Sequence, residues 1–301
     1  MPALCRGGAV RVVQISDLHL TGDGAPAYGV VDTWAALEAC VAHLLDLSPL
    51  PDAVVVTGDV ADRGEATAYA RARGVFAALT GVGVPVHFTP GNHDHGGRLR
   101  VALGALCPHD PDAPEGAGYC VEMDGARLVC LDTRRPGSHA GCVSPSTAAW
   151  LGRVLDRRPG VPTLVFAHHP PFASGLGVMD AGRMDGRALA GVLAGRDGVQ
   201  LCFGHLHRAL FTRWAGCPAV VCPSTAMQLE PRFAAFGGGG FVLETPGYLL
   251  HLCGADADPC GSGTEAQGSH HPWPWVTHVC QIPWPGMAGP YPFAGAVNPE
   301  G

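Results

Sequence analysis

The chain has 301 residues, room for one large domain or about two small ones, and a formal charge of −7 from 26 acidic against 19 basic residues, all of the latter Arg. That balance, with no Arg block long enough to follow a phosphate backbone, speaks against a nucleic-acid surface, and the absence of Lys excludes a Walker-type phosphate loop. With 47% apolar residues the chain can bury a core, and its 12 scattered Cys, without any CxxC pair, read as buried thiols in a reducing compartment.

The N-terminal segment lacks the apolar stretch and cleavage pattern of a secretory signal, and no uncharged apolar run reaches about 18 residues. A soluble cytoplasmic protein with no membrane segment is expected.

The hydrophobic pattern alternates short β-branched runs with longer helical stretches, the mark of an α/β layered fold. Strands are predicted over 10–16, 53–57 and 84–89, with helices over 31–47 and 65–79 between them. Two strands turned at Asp124-Gly125 are expected within 121–132, then a helix over 144–158, a strand over 162–167 and a helix over 184–194. Strands over 199–203, 209–214 and 219–222 follow. After about residue 247 the character changes: 249–253 and 275–282 read as strands, but 254–274 is Gly, Asp, His and Pro without periodicity. The expected organisation is a main domain over 1–247 and an extension over 248–301 acting as cover, lid or subunit contact. Its aromatics Trp273, Trp275, Trp284, Tyr291 and Phe293 favour cover or a homodimer contact.

Five short segments place metal-competent side chains at or just beyond the end of a predicted strand. They are Asp17-Leu18-His19, Gly58-Asp59, Gly91-Asn92-His93-Asp94, His168-His169 and Gly204-His205-Leu206-His207. In a layered α/β sheet the carboxyl ends of strands are where loops converge into sites. Carboxylate, imidazole and amide oxygen together suit Mn, Fe, Co or Zn, and the residue types fit a centre of two ions. In extended chain Asp17 and His19 point to one face and reach one ion together. His205 and His207 divide between two neighbouring ions if the chain turns there. Gly58, Gly91 and Gly204 each precede a candidate ligand, where the backbone must leave the strand sharply. One such tripeptide means little, but five in this order are hard to produce by composition. His43, His87, His109, His139 and His251 have no partner spacing and read as structural or solvated, and His270-His271 as part of a polar linker.

The blocks SDLHL, GDVADRG, PGNHD, FAHHPP and CFGHLH resemble the motifs of the calcineurin-like metallophosphoesterases. The wider context, AHHPPFASGLGVMD followed by GHLHRALFTRWAGCPAVVCPSTAMQ, is similar to the class III cyclic-nucleotide phosphodiesterases and their glycerophosphodiesterase relatives. The resemblance spans nearly the whole chain and implies a four-layer α-β-β-α sandwich with a short C-terminal extension. It implies two metal ions, the first held by Asp17, His19 and His207 and the second by Asn92, His168 and His205. Asp59 would bridge them, with His169 behind the ligands. His93 would contact the phosphate and Asp94 would orient His93 through a hydrogen bond, while a hydroxide held between the ions attacks phosphorus. The implied activity is hydrolysis of small phosphodiesters, 3′,5′-cyclic nucleotides ahead of glycerophosphodiesters. A broad monoesterase, a nuclease of the same superfamily and a non-catalytic metal-binding scaffold are the alternatives. One departure stands out: His95-Gly96-Gly97 follow PGNHD where many members of the subgroup carry an acid and an Arg, and the next Arg is Arg98.

Overall fold

The computed structural model describes residues 9–108, 110–231, 233, 240–254 and 274–283. Strands β1 (Val10–Ile15), β2 (Ala53–Thr57) and β3 (Val86–Thr89) alternate with helices α1 (Thr33–Leu45) and α2 (Ala66–Gly81), as the hydrophobic pattern predicts. Helix α3 (Gly96–Leu103) follows, then the hairpin β4 (Gly118–Glu122) and β5 (Arg127–Leu131), α4 (Pro145–Arg157), β6 (Thr163–Phe166) and α5 (Arg187–Leu193). Next come β7 (Val199–Phe203), β8 (Leu210–Trp214) and β9 (Cys217–Val221). A short ribbon of β10 (Gln228–Leu229) and β11 (Phe241–Val242) precedes β12 (Gly247–Cys253) and β13 (Trp275–Gln281).

One sheet runs β13-β12-β1-β2-β3 and the other β4-β5-β6-β7-β9-β8. β1 to β3 are mutually parallel, as are β5, β6, β7 and β9; antiparallel strands close both edges of the second sheet and the β13 edge of the first, whose other edge is the parallel β3. The apolar run of β2 explains the layering. Val54 and Val56 join the cluster that holds Leu37, Phe76 and Leu99 of the first three helices. Ala53 and Val55, on the opposite face, pack with Leu128, Leu164 and Phe166 of the second sheet. A third cluster sets Val129, Val165 and Leu201 against Trp150 and Leu189 of α4 and α5. Strands buried on both faces need no polar alternation, and the stacking is helix, sheet, sheet, helix.

Caps set the helix starts. The Asp32 side chain accepts from Ala35 N at α1, and Ser144 does the same for Thr147 N at α4, with Pro145 in the first turn. Helix α3 escapes the sequence reading because it opens on Gly96-Gly97, residues that disfavour helix; His95 caps it through its side chain.

The described parts of the expected extension are built into the main sheet: β12 pairs with β1, and β13 with β12. Trp275 is buried between the sheets. Trp273, Trp284, Tyr291, Phe293, His270, His271 and His109 lie outside the described residues. Among the described residues no helix is long and apolar enough to cross a membrane.

Candidate metal centre

The loops after β1, β2, β3, β6 and β7 meet at one cleft, and backbone conformation does the aiming. Asp17, His19, Asp59, His205 and His207 all have positive φ, at 55°, 47°, 48°, 70° and 47°. For residues other than Gly this region costs about 1–3 kcal/mol each and persists only where surrounding structure enforces it. Asp17 and His19 therefore do not converge through strand alternation: β1 ends at Ile15, and left-handed turns at both residues bring them together. The enforcing contacts include Asp17 N donating to Gly58 O at 3.1 Å and His19 N to Asp59 O at 2.9 Å. Glycine supplies clearance. A Cβ on Gly58 would lie 2.4 Å from His168 Nδ1, and one on Gly91 would lie 2.2 Å from Asp59 Oδ1.

All seven side chains expected as ligands are brought together. His207 Nε2 stands 3.1 Å from His19 Nε2 and 3.4 Å from Asp17 Oδ1. His168 Nε2 stands 3.1 Å from Asn92 Oδ1 and 3.2 Å from Asp59 Oδ2. The same Asp59 oxygen lies 3.7 Å from His19 Nε2, so one carboxylate adjoins histidines from both halves of the cluster. The His205-His207 turn sends its two rings apart: His207 groups with Asp17 and His19, His205 with His168 and His169. Within each of these groups the donor atoms lie within 4.8 Å of one another, and each group could hold a metal ion.

The imidazoles are oriented for this. His168 Nδ1 donates to Thr57 O at 2.8 Å and His207 Nδ1 to Met227 O at 3.1 Å, which leaves Nε2 as the ligating atom of each. His205 Nε2 is buried with no hydrogen-bond partner among the described residues, a state that a metal bond would relieve. Burial drives His205 well below its ordinary pKa and His207 down to about 4, so both rings are neutral and ready to coordinate. Burial opposes charge on His168 as well, but the adjoining Asp59 carboxylate holds its pKa up at about 9. Asp59 in turn is held well below the carboxylate range by His168 despite its burial.

The cluster opens into a cleft of about 570 Å³, lined by His19, Asp59, Asn92, His93, His205 and His207 and by the apolar side chains of Met179, Ala181, Met227, Leu229 and Phe241. The calcineurin-like phosphoesterase family matches residues 10–209. The chain belongs to that family. A probable glycerophosphodiester phosphodiesterase of Arcobacter nitrofigilis is 30% identical over 285 residues, 94% of this chain and 96% of that protein. A cAMP/cGMP dual specificity phosphodiesterase of Mycobacterium tuberculosis is 34% identical over 233 residues, 76% of this chain and 71% of that one. The crystal structure of a dimetal phosphatase from Danio rerio shares the fold, with a TM-score of 0.52 at 16% identity over 81% of this chain and 95% of that one.

Within this calcineurin-like phosphoesterase one expected contact is absent. Asp94 does not orient His93. Its carboxylate accepts from Gly91 N, Ala61 N, Val60 N and the Tyr69 hydroxyl, at 2.9, 3.0, 3.2 and 2.9 Å, and so ties the loop after β3 to the loop after β2. His93 Nδ1 is held instead by the backbone carbonyl of Asp62 at 2.7 Å. The departure after PGNHD also has a structural counterpart. Arg98 turns away to donate to Gly64 O, while a Cβ on Gly96 would lie 2.0 Å from Arg134 Nη2, so the Arg134 guanidinium fills the space that Gly96 leaves.

Two participants escape the sequence reading. Asp62 Oδ1 stands 3.0 Å from His19 Nδ1, and His139, expected as structural or solvated, accepts from Asn92 Nδ2 at 3.2 Å and lines the cleft. Asp62 falls inside the GDVADRG block and could have been found there; His139 lies in a loop with no motif.

Proposed function

We propose that this calcineurin-like phosphoesterase hydrolyses small phosphodiesters with two metal ions, 3′,5′-cyclic nucleotides ahead of glycerophosphodiesters. The observation that carries this is the convergence of two carboxylates, four imidazoles and one amide in one cluster, five members of which line a single cleft. The named activity of the mycobacterial relative supports the cyclic-nucleotide substrate. The glycerophosphodiester reading draws on the Arcobacter relative, which matches 94% of this chain.

The donor set fits the ions: it is rich in imidazole and carboxylate, preformed, and leaves His205 Nε2 buried and unpartnered. Asp17, His19 and His207 would hold one ion, Asn92, His168 and His205 the other, with Asp59 between them. When bound, the ions, drawn from Mn, Fe, Co or Zn, activate water and withdraw charge from the phosphoryl oxygens. The rest of the chemistry belongs to side chains. His93, its Nδ1–H fixed by Asp62 O, has Nε2 left for the substrate. Burial works against its charged form, but Asp59 and both the carbonyl and the carboxylate of Asp62 raise its pKa, so it can donate a proton to the leaving oxygen. Asp62 fixes the ring of His19. The ten described cysteines are all free thiols, which supports a reducing, cytoplasmic setting. The negative formal charge favours small diesters over polyanions, and the part of residues 248–301 outside strands β12 and β13 is assigned a role in a homodimer contact or as cover.

The test is to strip the protein of metal, reconstitute it with Mn, Fe, Co or Zn in turn, and assay a 3′,5′-cyclic nucleotide, a 2′,3′-cyclic nucleotide, a glycerophosphodiester and a phosphomonoester. Cleavage of the 3′,5′-cyclic nucleotide and the glycerophosphodiester in at least one metal form is expected. Cleavage of no ester under any metal would leave a non-catalytic scaffold.

A further inference from the structure

At the opposite, N-terminal edge of the second sheet, Arg127 opens β5 and is completely buried, with a side-chain exposure of 0%. Its Nε donates to Glu122 Oε1 at 2.8 Å, but Nη1 and Nη2 are both buried without a hydrogen-bond partner. A buried guanidinium with both terminal nitrogens unpaired is costly, because each carries N–H donors stripped of water and given nothing in return.

Arg127 borders a pocket of about 280 Å³, also lined by Arg158 and Arg196, by Thr163 and by Asp197. Arg158 is bound to Glu122 Oε2 at 2.8 Å, and Arg196 to Asp156 Oδ1 at 2.9 Å and to Val192 O. Neither Glu122 nor Asp156 lines the pocket, so the lining side chains set three guanidinium groups against one carboxylate. Arg158, the residue that ends α4, is taken up by Glu122, and Arg196 answers a carbonyl near the end of α5, which accounts for those two. Neither helix end accounts for Arg127.

We infer that this pocket binds a tetrahedral phosphate dianion, free or as the headgroup of a phosphomonoester. Its oxygens would accept from the two unpaired nitrogens of Arg127, the pairing for which a guanidinium fork is shaped. The half-exposed Arg158 would swing aside to admit it and then close on it. The volume, about 280 Å³, falls just below the roughly 300–1,000 Å³ of small-molecule sites, which favours a compact anion.

The test is calorimetric titration of the metal-loaded protein with inorganic phosphate and, in parallel, with a nucleoside monophosphate. Wild type, Arg127→Met and Arg158→Gln are compared, the last because a half-exposed side chain can be changed without touching the core. Wild type is expected to show a phosphate site besides any at the metal centre. That site weakens roughly tenfold or more in Arg127→Met and several-fold in Arg158→Gln, while turnover at low phosphate stays at the wild-type level. Loss in both titrations supports a monoester headgroup, and loss in the phosphate titration alone supports the free ion. Unchanged binding in both variants would overturn the inference. An inactive metal centre with this second site intact would overturn only the proposed function.

Discussion

His93 Nδ1 is bonded at 2.7 Å to the backbone carbonyl of Asp62, whose own carboxylate stands 3.0 Å from His19 Nδ1. One residue thus positions the proposed proton donor with its main chain and a proposed metal ligand with its side chain. His93→Ala should keep its metal content and lose about 10²- to 10⁴-fold in turnover, the usual worth of a general acid. Wild-type turnover in a fully metallated His93→Ala protein would remove His93 from the chemistry.

Asp94 is predicted to act through the loops it ties rather than through His93. Tyr69 supplies one of its hydrogen bonds and accepts another from His95 N at 2.9 Å. Tyr69→Phe should therefore cost about 1–3 kcal/mol in stability, read from denaturant unfolding. Asp94→Asn should lower stability and metal affinity while the shape of the pH–rate profile holds. A shift in the acidic or basic limb of that profile would restore a direct link between Asp94 and His93.

Burial pushes His251 down to about 3, on β12 of the first sheet, where its ring is bonded to Gln14 and Thr277 of that sheet and to Gln200 of the second. Its unfolded pKa is about 6.5. Below that value the unfolded chain takes up a proton that the folded chain refuses, so stability falls as pH drops from 6.5 toward 3, by at most about 1.4 kcal/mol per pH unit from this one group. Urea unfolding of wild type and His251→Gln across this range should give a shallower loss for the variant. Parallel slopes would mean that His251 is not neutral in the fold.

The sequence carries most of this architecture because β2 and its neighbours are short apolar runs set between longer helical stretches. The candidate ligands were legible for a similar reason: they sit in contiguous blocks at strand ends. What brings Asp17 and His19 together was not legible, since left-handed φ at non-Gly residues is imposed by the contacts of the loop after β2 and has no local signal. Helix α3 was hidden by its two glycines, and His139 reaches Asn92 from a separate loop, a distance in sequence that no spacing rule spans.

Asp59 adjoins histidines from both halves of the cluster, 3.7 Å from His19 and 3.2 Å from His168. Removing its charge should release both ions and lower turnover by at least about 100-fold. Elemental analysis of purified Asp59→Asn, alongside wild type loaded with the same metal, tests this most directly. The expected result is loss of the metal pair, with less than one ion per chain remaining; a variant that keeps two ions per chain would contradict the assignment of the centre.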